Sequence, residues 1–299
     1  MKNTKMKKFL AVFLTVIITA LSLSACSAEA IYTSIERKDQ NSVSAVTFNC
    51  AAQWGSLLDG TQSSARVKKF AAYMNTVNPD FIGTQEMNSN WLTKLGELMP
   101  NYESYGVARG GDDSEKTSEM NAVFWLRDKY TLIDKGTFWL SETPDKESRY
   151  EGAGCNRICT WVLLESNETN SQYLYMNTHL DNVSEEAQGF GAKVILNEEQ
   201  KLTAQYPDAS VILSGDFNQT RGMSAHNEMS QVLNDSLSAA DESEIKGTYQ
   251  EWGEQNNSEP IDFIFYSDTL AAVEYQVLDD ISNGYVSDHY GVYTEFTAV

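Results

Sequence analysis

Hydrophobic and polar positions follow two rhythms along the chain. Short apolar runs bounded by turn-forming or polar residues read as strands: VSAVTFN (43–49), PDFIGTQE after the first helix, NAVFWL (121–126), ICTWVLL (158–164), YLYMNTHL (173–180), VILSGDF (211–217), IDFIFYS (261–267) and YGVYTEF (290–296). Val67, Phe70, Ala71, Met74 and Val77 recur at helical spacing, and Pro79 breaks that pattern. A second helical stretch, SEEAQGFGAKVILNEEQKLTAQY, joins YLYMNTHL to VILSGDF. Strands this numerous, with few helices between them and no Pro/Gly/Ser linker after residue 42, predict one sheet-rich α/β domain over residues 43–299.

Ahead of that domain the pattern changes. MKNTKMKK is basic, FLAVFLTVIITALSL is apolar, and LSAC is a small-residue processing site, so residues 1–25 read as a signal peptide. Phe9 to Leu23 is short for a bilayer, which needs roughly 20 apolar residues. The Leu-Ser-Ala-Cys box resembles that of bacterial lipoproteins. The resemblance implies lipidation at Cys26, export, and anchoring to the outer face of the cell membrane, with residues 26–42 as a polar tether. An uncleaved anchor or a plain secretory signal would also export the domain. Downstream, Cys50, Cys155 and Cys159 form no disulfide framework, and Cys155-x-x-x-Cys159 lacks neighbouring zinc ligands, so all three read as small buried thiols. The net charge of −20 becomes more acidic still once the four lysines of the leader are removed. Such a surface repels polyanions and argues against tight, sequence-tolerant nucleic-acid binding.

Chemistry-bearing residues gather at strand ends. Asn49 closes the first strand, Gln85 and Glu86 the second; Asn177 and His179 sit in YLYMNTHL, Asp216 and Asn218 in GDFNQT, Asp262 opens IDFIFYS, and SDH (287–289) precedes the last strand. Strand residues two apart share a face, so Asp216 with Asn218, and Asn177 with His179, are expected to address one site. The chain holds three histidines, two of them in these motifs; His226 reads as a surface residue. Trp125, Trp139 and Trp161 read as core, and GGDDSEKTSE (110–119) as a solvated loop.

VTFNC, IGTQEM, NAVFWLRDKYTLIDKGTFWLSETPD, NRICTWVLL, YMNTHLDN, VILSGDFNQT, IDFIFYS and YVSDHYGVY, taken in order over residues 43–299, resemble the endonuclease/exonuclease/phosphatase (DNase I-like) superfamily. The resemblance implies a four-layered α/β/β/α sandwich of two packed sheets between helices. It makes Glu86 the principal ligand of a divalent cation, with Asn49 beside it and Asp288 as a further ligand. Asp216 would orient or activate the attacking water, and Asn218 would hold the phosphate or that nucleophile. His289, oriented by Asp262, would contact the phosphoryl oxygen or carry a proton, and His179 would stabilise charge on the opposite side. Arg157 and Asn177 would face the substrate. Oxygen ligands suit Mg²⁺, Mn²⁺ or Ca²⁺, and a hard cation is what an anionic phosphoric ester requires before water can attack. The expected activity is phosphodiester hydrolysis by a monomer. The substrate class stays open between nucleic acid or nucleotide, phospholipid headgroup and sugar or inositol phosphate. The rival reading is a surface lipoprotein that binds phosphorylated ligands without catalysis.

Overall fold

A computed structural model describes residues 32–54, 62–111, 118–240 and 245–299. The signal peptide, Cys26, the first part of the tether and residues 112–117 of the acidic loop lie outside the described residues. No helix among the described residues is long and apolar enough to cross a membrane.

In chain order the elements are β1 (Val43–Asn49), α1 (Ser63–Val77), β2 (Phe81–Gln85), α2 (Ser89–Leu98), β3 (Tyr102–Tyr105), β4 (Val123–Leu126), β5 (Tyr130–Trp139), β6 (Ile158–Ser166), β7 (Gln172–His179), α3 (Glu185–Gln205), β8 (Ala209–Asp216), α4 (Ser224–Met229), β9 (Asn234–Asp235), β10 (Asp262–Tyr266), β11 (Leu270–Leu278) and β12 (Gly291–Ala298). They form two six-stranded sheets, ordered β11-β12-β1-β2-β4-β3 and β5-β6-β7-β8-β10-β9. The first sheet buries Val46, Phe48, Ile82 and Phe124 against Val67, Phe70 and Met74 of α1 and Trp91 and Leu95 of α2. Its other face, with Ala45, Phe81 and Trp125, packs on the second sheet through Tyr175, Ile212 and Ile264; Ala192 and Ile195 of α3 cover the outer face of that sheet. The four-layered sandwich is therefore observed.

Two pairings are parallel, β1 with β2 across α1 and β7 with β8 across α3. A parallel pair needs a crossover, so both its strands point their carboxyl ends the same way. Asn49 registers with Gln85, and His179 with Asp216, which brings four chemistry-bearing termini to one end of the sandwich. Antiparallel β10 starts at that same end, with Asp262 opposite Asp216.

The tether expectation needs correction at its downstream half. Tyr32 is buried and stacks on Tyr73 with ring centroids 4.2 Å apart. Arg37 pairs with buried Asp80 at 2.7 Å, and Glu295 accepts hydrogen bonds from the amides of Lys38 and Asp39. Residues 32–42 are thus packed onto the domain: their polar composition satisfies buried carboxylates instead of solvating a linker.

Candidate active site

The strand ends meet at a cleft of about 500 Å³ lined by Glu86, Glu119, Asp216, Asp288, Arg109, Arg157, His179, Asn218 and His289, with Trp54, Val183, Tyr249 and Ile261 among its remaining walls. Backbone strain helps build it. Ala51, Glu86 and Asn218, each just beyond a strand, sit at φ of 46°, 51° and 51°. Non-glycine residues enter that left-handed region rarely, and when they do so next to one another in space they re-aim side chains. Asp216 ends β8, so Asn218 joins it through this turn and not through strand alternation; the turn is locked by the Asn218 amide donating to Asp216 Oδ1 at 2.9 Å.

His289 occupies the centre. Its Nδ1 lies 2.8 Å from Asp262 Oδ2 and its Nε2 3.8 Å from Asp216 Oδ2. Burial alone would lower the pKa of this imidazole, but Asp262 and Asp216 outweigh it and lift the value to about 10. His289 is therefore an imidazolium at neutral pH. Burial and the Asp262 charge raise Asp216 to about 6, while His289 and a 3.0 Å hydrogen bond from Asn49 pull the other way, so at pH 7 Asp216 is mainly a carboxylate. His179 behaves oppositely to His289. Burial, with Arg157 and Arg109 nearby, pushes it well below its ordinary value and keeps it neutral. The Asn218 amino group lies 3.0 Å from His179 Nε2 and donates to Leu180 O at 3.0 Å, leaving the amide oxygen for the cleft.

Glu86 is a carboxyl that could hold a cation. Burial first, then Glu119 and Asp288, raise its pKa to about 7 in spite of a hydrogen bond from Asn49. An oxygen donor held partly buried among other carboxylates, with Asp288 on the same cleft, fits a hard divalent ion. Asp216, Asp262 and His289 also lie close enough to hold a metal, with ligand atoms within 4.8 Å of one another. That trio already carries its own cation, the imidazolium, so Glu86 and Asp288 are the better seat. When bound there, an ion would neutralise the ester's charge and polarise its P–O bond.

Two site residues are placed otherwise than expected. Asn49 presents its amide nitrogen to Glu86 and Asp216 and turns its oxygen to the Ala51 amide at 3.0 Å, so in this arrangement it bridges the two carboxylates. Asn177 is fully buried and lies beneath the site, not in it. It donates to Thr84 O and Ala122 O and accepts from Gln85 Nε2 at 2.7 Å, tying the sheets together where Gly83 admits its amide; a Cβ on Gly83 would come within 2.7 Å of Asn177 Oδ1. Shared strand parity put Asn177 on the face of His179, but only His179 stands at the strand's open end.

Arg157 does line the cleft, held by Asn182 Oδ1 at 2.8 Å and Asp181 at 3.5 Å. Nothing in the motifs pointed to Arg109, which lines the same cleft and pairs with Glu119 at 2.7 Å. Its carbonyl accepts from Trp139 Nε1 and Asn156 Nδ2. Trp125 is core, as expected, whereas Trp139 and Trp161 are only partly buried. His226 is not a surface residue: it packs on Phe263 and Phe265 with Nε2 2.9 Å from Asp235.

Residues 46–289 match the Endonuclease/Exonuclease/phosphatase family. The chain belongs to that family. Among solved structures, a Bacteroides thetaiotaomicron mannosyl-6-phosphatase superposes with a TM-score of 0.78 at 28% identity, covering 85% of this chain and 99% of that one. The human Nocturnin catalytic domain with bound sulfate anion shares the fold, with a TM-score of 0.70 at 19% identity over 86% of this chain and 95% of that one. Among curated sequences, a probable CCR4-Not complex 3'-5'-exoribonuclease subunit Ccr4 of Vairimorpha ceranae is 24% identical over 251 residues, 73% of this chain and 52% of that protein. The chain thus spans about half the length of this relative. Family membership and these hydrolase neighbours support an enzyme that cleaves phosphoric esters.

Proposed function

We propose that this protein is a divalent-metal-dependent phosphoesterase that releases phosphate from a small phosphorylated sugar by direct attack of water. The observation that carries the reading is that one cleft gathers the carboxylates Glu86, Asp288 and Asp216, the guanidiniums Arg109 and Arg157, and His289, whose Nε2 lies 3.8 Å from Asp216 Oδ2. Glu86 and Asp288 would hold Mg²⁺, Mn²⁺ or Ca²⁺. Asp216 orients the water and accepts its proton, a role worth about 10²–10⁴-fold when the base is well positioned. His289, held by Asp262, donates to a phosphoryl oxygen as charge builds there. Arg157 and Arg109 stabilise the phosphate as its P–O bond to the sugar breaks and the departing oxygen takes a proton from solvent, while neutral His179, 3.5 Å from Asp216 Oδ2, positions Asn218.

The motif residues by themselves do not choose between a diester and a monoester. Arg109, which no motif flagged, adds a second guanidinium to the cleft that Arg157 lines, and two positive charges there suit the dianion of a terminal phosphate. The acidity of the surface works against polyanionic polymers. The fit to a relative named mannosyl-6-phosphatase supports a sugar as the alcohol part. Export and anchoring through Cys26 belong to the same proposal, supported by the basic, apolar and LSAC sequence of the leader. The test is phosphate release from hexose 6-phosphates, nucleotides and inositol phosphates, with Mg²⁺ or with EDTA. Metal-dependent release that prefers a hexose phosphate is expected; a preference for polymers or diesters would overturn the substrate assignment.

A further inference from the structure

At the lip of the cleft Trp54 lines the cavity with 60% of its surface exposed, the largest apolar side chain so displayed among the described residues. A large exposed aromatic is ordinarily mobile, but this one stands on a fixed backbone. Arg66, fully buried, donates to Trp54 O, to Ala51 O and Cys50 O of the same loop, and to Val286 O from the segment that leads into Asp288 and His289. Its guanidinium approaches two indoles, 5.4 Å from the Trp91 ring and 4.9 Å from that of Trp252. The Trp54 amide closes a turn onto Ala51 O, and the Ala52 amide bonds to Glu86 O. One buried arginine therefore clamps the loop bearing Trp54 to the loop bearing the catalytic imidazole.

We propose that Trp54 is the platform on which the substrate's sugar ring stacks, held in register with the phosphoryl site by Arg66. The proposal rests on the phosphoesterase reading above and specifies its alcohol part. A pyranose has one apolar C–H face and a rim of hydroxyls, and the cleft offers the matching pair: the Trp54 indole, with Val183 and Ile261 as further apolar lining, and Asn182 and Glu119 as hydroxyl partners. The cleft's other aromatic ring, Tyr249, packs on His289 with centroids 5.1 Å apart, so Trp54 is the more exposed aromatic face that a substrate ring can meet.

The test compares kcat/KM of the full protein and its Trp54→Ala and Trp54→Phe variants, with Mg²⁺, on glucose 6-phosphate, mannose 6-phosphate, glycerol 3-phosphate and adenosine 5′-monophosphate. Stacking of this kind is worth up to about tenfold, so Trp54→Ala should lose that much more on a hexose phosphate than on ring-free glycerol 3-phosphate, and Trp54→Phe should recover most of it. Because the indole is exposed, the melting temperature should stay put. Equal losses on all four esters, or no loss, would overturn the platform. A larger loss on the nucleotide would reassign it to a base. No turnover of any ester by the unaltered protein would instead remove the phosphoesterase reading itself, and the platform with it.

Discussion

Glu86→Gln should make the metal-free protein more stable and the metal-loaded protein no better. In the folded protein burial, Glu119 and Asp288 lift the Glu86 pKa from 4.5 to about 7. Below pH about 4.5 both states hold the proton and the residue is neutral to stability. Between about 4.5 and 7 the unfolded chain has released a proton that the folded protein keeps, so stability falls as pH rises; above about 7 the deficit is complete. At about 1.4 kcal/mol per pH unit the deficit is about 3 kcal/mol. Glutamine keeps the acceptor for Asn49 Nδ2 but brings an amino group that needs its own partner, so about 2 kcal/mol should be recovered. In a domain of this size that is roughly 4–8 °C of melting temperature. The assay is thermal denaturation at pH 8, in EDTA and in Mg²⁺. In EDTA the variant should melt higher. At about 100 times its dissociation constant Mg²⁺ should stabilise the unaltered protein by about 2.7 kcal/mol and the variant far less, closing or reversing the gap. A variant that melts lower in EDTA, or gains as much from Mg²⁺, would refute the assignment of Glu86 as the carboxylate awaiting a cation.

Other perturbations read other parts of the site. Asp262→Asn removes a charge that raises both His289 and Asp216, so both limbs of the pH–rate profile should move to lower pH, by roughly one to three units on the alkaline side; an unmoved alkaline limb would separate His289 from the rate. Asn177→Leu removes the acceptor of one Gln85 Nε2 proton and the side-chain donor to the Thr84 carbonyl, while Ala122 O keeps its bonds from Thr84, and urea denaturation should show a loss of about 2–4 kcal/mol, with a smaller loss for Asn177→Ser. Cys26→Ala should shift the protein from the membrane fraction to the soluble one; unchanged membrane retention would argue for an uncleaved anchor.

The eight strands foreseen from hydrophobic pattern are the eight interior strands of the two sheets, and the four that pattern did not reveal, β3, β5, β9 and β11, are the four edges. The reason is physical. An interior strand is buried on its faces and flanked on both sides, so its residues are apolar almost without break, as in β8. An edge strand can carry Asp134, Lys135 and Gly136, as β5 does, or alternate buried and exposed positions, as β11 does, and charge there guards against pairing with another chain.

The site was legible to a similar degree. Glu86, His179 and Asp216 converge because parallel strands carry their carboxyl ends to one side, and Asp262 and His289 join them because antiparallel β10 and β12 start at that end. Strand parity misled at Asn177, whose amide is spent between the sheets, and gave the wrong reason for Asn218, whose left-handed φ no pattern reveals. Arg109 and Trp54 went unseen because each is brought to the cleft by tertiary contacts, Trp139 and Asn156 holding one backbone and Arg66 the other.

The most direct measurement is hydrolysis of p-nitrophenyl phosphate and bis-p-nitrophenyl phosphate by the purified protein, with Mg²⁺, Mn²⁺, Ca²⁺ or EDTA, beside an Asp216→Ala control. Release that requires the metal, favours the monoester and falls by about 10²–10⁴-fold in the control is the predicted result. Release that persists in EDTA, or that survives the loss of Asp216, would contradict the proposed mechanism.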